Sequence, residues 1–207
     1  TFTVTQGPNP SFTANGTLSD SVYSVCSVGN TQTFYFNPSS NGTTYSSYRF
    51  DFGDGNIDSG AVFSAVITHT YTGRGIYPVT MTLWSGNGCV SSYTQWMFFG
   101  SNPTITLPNP GNTVSCLDNG DRTYTFQILN TVNNPTGTQY VVSFNDGSPD
   151  TTFTHPPPVS ISHTFSTTSC GVNSIAYDNA FYVQVTASNP CGSSTATIDP
   201  IIISSPV

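Results

Sequence analysis

Three carboxylates, Asp51, Asp54 and Asp58, are the most concentrated group of chemically useful side chains in the sequence. Calcium takes about six to eight oxygen ligands, so three carboxylates around one turn could supply part of a calcium site. The alternative is structural: an aspartate beside glycine commonly hydrogen-bonds the backbone of its own turn. Strand alternation would also point Asp51 away from Asp54. The sequence favours the structural turn and leaves Ca²⁺ as the candidate cofactor.

Two histidines recur in similar strings, His69–Thr70–Tyr71 and His163–Thr164–Phe165. A histidine can act as a general base or bind a metal near neutral pH. Neither string includes a nucleophile or a second histidine, and the sequence has no Gly-x-Ser-x-Gly, no His-Glu-x-x-His and no phosphate-binding glycine loop. The ten aspartates single out no pair for acid–base hydrolysis. We therefore predict that the chain is not an enzyme and has no catalytic residues.

The elements that would position these residues are strands. Thr33–Phe36, Tyr48–Phe52 and Tyr77–Leu83 each alternate large apolar with polar residues, which is the period of a strand with one buried face. Glycine, proline, asparagine and aspartate separate these segments, as expected of turns. No long stretch shows a helical period. The sequence predicts an all-β protein.

The chain also repeats itself. The matched strings are Cys26 with Cys116, Thr33–Phe36 with Thr123–Phe126, Phe52–Gly55 with Phe144–Gly147, His69–Tyr71 with His163–Phe165, and Asn87–Cys89 with Asn189–Cys191. The spacing between matched strings only grows along the chain, as loop insertions between fixed strands produce. Self-similarity of this kind indicates tandem copies of one fold. We predict two domains, residues 1–102 and 103–207.

The first copy resembles the PKD (polycystic kidney disease) domain, an immunoglobulin-like β-sandwich. The residues that carry the resemblance are Phe50–Gly55, reading Phe-Asp-Phe-Gly-Asp-Gly, then His69–Tyr71 and Gly75–Thr82. The second copy departs from that pattern at Ser143, Asn145 and Phe165. The resemblance implies two tandem immunoglobulin-like β-sandwich domains. It also implies a histidine that hydrogen-bonds near the Phe-Gly-Asp-Gly turn and stabilises the fold.

A narrower resemblance is to repeats of the gliding-motility adhesins on the surface of Bacteroidetes. It rests on lysine-free strands rich in threonine, serine and asparagine, on the placement of the cysteines, and on endings such as Asn189–Gly192 and Pro200–Ser204. It implies a segment of a large extracellular protein that is attached to the outer membrane through its other parts. Neighbouring repeats of the same chain would then be partners.

Five cysteines without a Cys-x-x-Cys pair indicate disulfides in an oxidising compartment rather than a zinc site. Equivalence of the repeats suggests the bridges Cys26–Cys89 and Cys116–Cys191, with Cys170 left over. Strand order suggests an alternative, in which Cys116 and Cys191 lie at opposite ends of the second sandwich and Cys170 is nearer to Cys116. Cysteines whose Cα atoms are more than about 7 Å apart cannot be bridged.

The first domain has an aromatic-rich end, formed by Trp84 and the segment Trp96–Phe99. If they are exposed, Trp84, Trp96 and Tyr93 are candidates to stack on sugar rings or to contact a partner. The alternative is that this segment is the last strand and packs against the next domain. A planar set for sugar binding would draw on Tyr23, Tyr45, Tyr48, Tyr93 and Trp96, which the sequence alone does not place on one face.

Charge excludes several partners. Only 6% of residues are charged, there is no lysine or glutamate, and the formal net charge is −7. Nucleic acid needs clustered lysine and arginine, so it is not an expected partner, and anionic membrane surfaces are poor partners for the same reason. No apolar run approaches the roughly 20 residues of a membrane span, so we expect no membrane insertion in this segment. The expected location is extracellular or on the cell surface.

These observations predict a non-enzymatic extracellular repeat segment of a large bacterial cell-surface adhesin, acting as spacer and contact surface. Its partner would be a surface polysaccharide or an abiotic surface. The alternative is an accessory polysaccharide-binding module of a secreted chitinase or protease, because PKD domains often flank such enzymes. An enzyme fragment is a third reading, which no group of residues in the sequence supports.

Overall fold

The computed structural model describes residues 6–116 and 122–205. The chain divides into two compact units, Thr1–Gly100 (unit 1) and Ser101–Val207 (unit 2). Over the described residues the regular elements are all β-strands. In that part of the chain there is accordingly no helix long and apolar enough to cross a membrane.

Unit 1 is a sandwich of a three-stranded and a six-stranded sheet. Its strands are β1 (Ser11–Ala14), β2 (Thr17–Ser19), β3 (Val22–Cys26), β4 (Gln32–Ser39), β5 (Ser47–Asp51), β6 (Ile57–Gly60), β7 (Ile67–Tyr71), β8 (Gly75–Trp84) and β9 (Val90–Gly100). The smaller sheet has the order β1-β4-β7 and the larger the order β2-β3-β9-β8-β5-β6. Neighbouring strands are antiparallel except β3 and β9, which run parallel with Val22 opposite Trp96 and Cys26 opposite Gly100.

Alternation along the strands builds the core of unit 1. In β4, Phe34 and Phe36 are buried and Tyr35 between them is exposed. In β5, Phe50 is buried whereas the neighbouring Arg49 is not. The Phe36 and Phe50 rings, one from each sheet, lie with their centroids 5.5 Å apart. The two sheets therefore bury their facing sides against each other, which is the arrangement that period-two patterning produces.

Unit 2 is a second sandwich. Its strands are β10 (Val114–Cys116), β11 (Arg122–Gln127), β12 (Gln139–Phe144), β13 (Thr151–Thr154), β14 (Ser160–Phe165), β15 (Phe181–Asn189) and β16 (Gly192–Ser204). One sheet has the order β10-β16-β15-β12-β13 and the other pairs β11 with β14. As β3 and β9 do in unit 1, β10 and β16 run parallel. Phe126, Tyr140, Phe165 and Phe181 are fully buried between the sheets.

The structure confirms the predicted fold class: both units are all-β sandwiches. The segments predicted as strands coincide with β4, β5 and β8, although Phe52 falls just beyond the end of β5. The two units also pair equivalent strands, since β4 pairs with β7 in unit 1 and β11 with β14 in unit 2. The matched strings thus occupy matched positions in two copies of one architecture.

Candidate functional site

The Phe-Gly-Asp-Gly turn of unit 1 follows β5 directly and is held by a histidine from the opposite sheet. His69 lies on β7, and its Nε2 is 2.7 Å from Oδ2 of Asp54. The imidazole stacks on the Phe52 ring, with centroids 4.1 Å apart and planes 8° apart. We call Phe52, Asp54 and His69 the turn cluster of unit 1. This contact is the histidine hydrogen bond that the family resemblance implied.

Unit 2 reproduces the turn cluster with Phe144, Asp146 and His163. The His163 Nε2 is 2.7 Å from Asp146 Oδ2, and the imidazole stacks on Phe144 with centroids 3.6 Å apart and planes 11° apart. In both units the other carboxylate oxygen accepts a backbone N–H two residues further on, from Asn56 at 3.0 Å and from Ser148 at 3.0 Å. The cluster therefore survives the sequence changes of the second copy.

Hydrogen bonds, not burial, set the ionisation of these two carboxyls. Partial burial by itself raises the pKa of Asp54, but the hydrogen bonds from His69 and Asn56 outweigh it, so the pKa of Asp54 is lowered. In unit 2, burial likewise raises the pKa of Asp146, and hydrogen bonds from Ser148 and His163 lower it further than burial raises it. Both carboxylates are stabilised in their charged form by hydrogen bonds from their own turn and from a histidine on the opposite sheet.

A buried hydroxyl adds a further link to the turn of unit 1. The Tyr71 OH donates a 2.8 Å hydrogen bond to the Phe52 carbonyl oxygen, and burial raises the pKa of Tyr71. Unit 2 has Phe165 in the matching position, which packs edge-on against His163 at 4.7 Å, as Tyr71 does against His69. The ring contact is thus common to both units, whereas the hydroxyl contact is particular to the first.

The structure does not bring the three proposed calcium ligands together. Asp51 accepts hydrogen bonds from Arg49 at 2.9 Å and from the Gly53 N–H at 3.1 Å. Asp54 belongs to the turn cluster, and Asp58 accepts a 3.0 Å hydrogen bond from the Tyr48 hydroxyl. Over residues 6–116 and 122–205, no three His, Cys, Asp or Glu side chains are grouped so that they could hold a metal ion. The geometry of these aspartates fits the structural-turn interpretation better than the calcium interpretation.

The bridge Cys26–Cys89, predicted from repeat equivalence, is wrong. Cys26 is disulfide-bonded, but Cys89 carries a free, exposed thiol. The reason is strand direction: Cys26 lies opposite Gly100, where β9 ends, and Cys89 comes immediately before Val90, where β9 begins. At about 3.3 Å per residue, the length of β9 separates the two ends by roughly 35 Å, far beyond bridging distance.

The predicted bridge Cys116–Cys191 is wrong for the same reason, because the length of β16 separates the two cysteines. Cys116 lies opposite Ser204, where β16 ends, whereas Cys191 immediately precedes Gly192, where β16 begins. Cys191 is disulfide-bonded. Cys170, the left-over cysteine, has a free and exposed thiol. It lies at the same end of β16 as Cys116, because the neighbouring Ser169 N–H donates a 2.8 Å hydrogen bond to the Ile203 carbonyl.

Alkylation should distinguish the free thiols from the disulfide-bonded cysteines. In the native protein without reductant, iodoacetamide should modify Cys89 and Cys170, whereas Cys26 and Cys191 should react only after reduction. The sites can be mapped by mass spectrometry after chymotryptic digestion, since three arginines and no lysine give trypsin few cleavage sites. A peptide cross-linked through Cys26 and Cys89 would contradict the structure.

The two residues predicted to contact a ligand lie on opposite faces of β9. Tyr93 points inward and packs edge-on against Phe12, with ring centroids 5.4 Å apart, so its prediction as a contact residue is wrong. Trp96 points outward and is 43% exposed. Of the other aromatics that could have formed a planar set, Tyr23 and Tyr48 are buried, and Tyr45 stacks on Phe63 at 4.8 Å.

A groove of about 420 Å³ lies on the outer face of the six-stranded sheet. We call it the sheet groove. Its lining residues are Arg49, Asp51, Gly53, Pro78, Thr80, Thr82 and Trp84. The Arg49 guanidinium and the Asp51 carboxylate form an ion pair at 2.9 Å, with side chains 48% and 40% exposed. Hydroxyls on the neighbouring strand β8 extend the polar surface of the groove. The Thr80 hydroxyl is hydrogen-bonded to that of Thr94, and the Thr82 hydroxyl to that of Ser92, both at 2.8 Å.

Sequence reasoning proposed Trp84 as a sugar-stacking residue but missed Arg49 and the threonines that share its face. The signal that could have found them is alternation: Thr80, Thr82 and Trp84 fall at every second position of β8, between the buried Val79, Met81 and Leu83. Residues at the unburied phase of a central strand share one face with their cross-strand partners.

The fold and the duplicated turn define the class: the chain consists of two tandem β-sandwiches of the immunoglobulin-like kind. Residues 20–98 match the PKD domain family, which confirms the resemblance of the first copy. No curated protein is similar enough in sequence to count as a match.

Three solved structures illustrate the fold. The fibronectin(III)-like modules of Clostridium thermocellum CbhA are 12% identical, with 94% of this chain and 95% of that chain covered and a TM-score of 0.34. The PKD1 domain of Vibrio anguillarum Epp is 18% identical over 46% of this chain and 99% of that chain, with a TM-score of 0.31. A 1.5-MDa bacterial ice-binding adhesin is 16% identical over 97% of this chain and 66% of that chain, with a TM-score of 0.34. Likenesses this distant carry no argument about function.

Proposed function

We propose that the chain is a non-catalytic extracellular segment of a large bacterial cell-surface adhesin of the gliding-motility type, serving as a spacer and as a contact surface. The observation that carries the proposal is the duplicated turn cluster. In both units the aspartate and histidine that could do chemistry are hydrogen-bonded to each other, and the aspartate also to its own turn. They hold the sandwich together, and tandem copies of a self-sufficient sandwich are a means of extending a protein from a cell.

Chemistry of the surface supports an extracellular location. Cys26 and Cys191 are disulfide-bonded, and disulfides persist in oxidising compartments. Threonine pairs such as Thr33 with Thr70 and Thr123 with Thr164 occupy solvent-facing positions where many proteins place charges. Attachment to the outer membrane through other parts of the parent protein belongs to the same proposal.

The experiment uses an antibody against this segment on cells that carry the parent protein. Intact cells should be labelled as strongly as permeabilised cells. A strain that lacks the segment should attach less well to polysaccharide-coated and glass surfaces. Replacing the segment with an unrelated tandem sandwich of equal length separates the two roles, because it restores a spacer but not a contact surface. Labelling that requires permeabilisation, or full attachment by the deletion strain, would overturn the proposal.

A second candidate is an accessory polysaccharide-binding module of a secreted chitinase or protease. The observation that favours it is the sheet groove, which combines an indole with hydroxyls and an ion pair. The same antibody distinguishes the two: the accessory module should be recovered from the culture fluid with a hydrolase activity, and the adhesin from the cell surface.

A further inference from the structure

The sheet groove offers the side chains that recognise sugars. Trp84 is half-buried and contributes an indole to the lining of the groove. Aromatic rings of this kind are well suited to a ligand that is apolar on its faces and polar at its edge, which is the character of a pyranose ring. The hydroxyls of Thr80 and Thr82 lie beside it on the same face of β8, where they can exchange hydrogen bonds with sugar hydroxyls.

The groove continues into a longer strip toward Trp96. Pro78 lies opposite Trp96 in the β8–β9 pairing, and Trp84 lies opposite Val90. The two tryptophans therefore stand on one face of one sheet, about 20 Å apart at the usual rise of about 3.3 Å per residue. The paired hydroxyls of Thr80–Thr94 and Thr82–Ser92 lie between them. This layout suits an extended chain of several sugar units better than a single small molecule.

Charge selects an uncharged ligand. The groove lining contains one cation and one anion, and these neutralise each other in the Arg49–Asp51 ion pair. A polyanion would find no unpaired cation there and would approach a protein of formal net charge −7. A polycation would compete with Arg49 for a single partly exposed carboxylate. Neutral hydroxyls, in contrast, can accept from the guanidinium and donate to the carboxylate at the same time.

We propose that the sheet groove of unit 1 binds an uncharged polysaccharide, which lies along β8 from Trp84 toward Trp96. This inference rests on the proposed function, because it locates the contact surface of the segment in the sheet groove and names the class of ligand that the surface binds. Unit 2 lacks the equivalent site. Its matching strand, β12, carries Val141 and Ser143 where β5 carries Arg49 and Asp51, and both tryptophans of the chain are in unit 1.

The test uses the whole 207-residue chain and three uncharged insoluble polymers: cellulose, chitin and agarose. Wild-type protein should be retained saturably on at least one of them. Trp84→Ala should weaken that retention at least tenfold, which is about 1.4 kcal/mol, because tryptophan is among the residues whose truncation costs most in a binding site. The double variant Arg49→Gln/Asp51→Asn keeps polar side chains at both positions and removes both charges, and it should also weaken retention at least threefold.

Two controls make the result specific. Tyr35→Ala removes an aromatic ring that is 51% exposed on the other sheet of unit 1, and it should bind as the wild type does. Dextran sulfate in solution should not compete for the site. Circular dichroism of each variant establishes that its fold is intact, and the double variant keeps the test valid if Trp84→Ala fails to fold.

Each contrary result overturns the inference. No saturable retention on any of the three polymers would do so, as would equal retention of the wild type and the double variant. Competition by dextran sulfate would show a polyanion site instead. None of these results bears on surface labelling or on attachment of the deletion strain, so failure of the groove and failure of the proposed function remain distinguishable.

Discussion

Replacing Gly53 with alanine should lower the free energy of unfolding of unit 1 by roughly 2–6 kcal/mol, for two reasons. Gly53 adopts a φ of 77°, which costs an L-residue about 1–3 kcal/mol. An added Cβ would also lie 2.7 Å from the carbonyl oxygen of Pro78 and 2.8 Å from its Cδ. Relieving that overlap would push the turn away from β8, at a further cost typical of overpacking, about 1–3 kcal/mol.

Tryptophan fluorescence during urea unfolding measures this effect in one unit, because both tryptophans of the chain, Trp84 and Trp96, are in unit 1. The matched control is Gly42→Ala. Gly42 has the same φ of 77° but nothing within 4 Å of an added Cβ, so it should lose only the conformational part, about 1–3 kcal/mol. Equal losses in the two variants would mean that the close approach to Pro78 contributes nothing.

Substituting Asp54 with asparagine should cost about 2–3 kcal/mol near neutral pH, because the charged carboxylate accepts hydrogen bonds from His69 and from both nitrogens of Asn56. It should also change how stability depends on pH. The pKa of Asp54 is lowered in the folded state, so the carboxylate stabilises the fold fully above the unfolded pKa of about 3.9. That contribution is lost as the pH falls through the lower, folded pKa.

The variant should therefore lose less stability than the wild type between about pH 5 and pH 2, and the two should converge at the acid end. Asp20→Asn is the control: it removes the same charge from an exposed turn where a positive φ tolerates asparagine, so it should leave stability near neutral pH nearly unchanged. Asp146→Asn should act in the same way on unit 2, where calorimetry can follow the transition. A wild-type pH profile in Asp54→Asn would contradict the role of the turn cluster.

Period-two alternation made most of the fold predictable from the sequence. Phe34, Phe36 and Phe50 fall on the buried phase of strands whose other residues are polar, and burial of that phase leaves few arrangements other than a sandwich. The pairing of His69 with Asp54 was also within reach, because the same strings recur in the second copy at matched positions. Repetition reveals which residues share a role, even though it does not reveal the distance between them.

Other features depend on where strands begin and end in space, which the repeat does not encode. Cys26 and Cys89 occupy equivalent positions to Cys116 and Cys191, yet equivalence between copies says nothing about proximity within a copy, and the length of β9 separates the first pair. Tyr93 and Trp96 are near neighbours in sequence but differ by an odd number of positions, so they face opposite sides of the sheet. The sheet groove required the cross-strand register that brings Arg49 opposite Thr82.

In each unit, an early strand pairs in parallel with the last strand, and this pairing determines how the unit responds to tension. In unit 1 the chain passes through β3 early and leaves through β9, and in unit 2 it passes through β10 and leaves through β16. When the two ends of such a unit are pulled apart, parallel strands are drawn past each other along their length. The hydrogen bonds of the ladder are then loaded together in shear instead of being opened one after another, so each sandwich should resist unfolding until the pulling force is high.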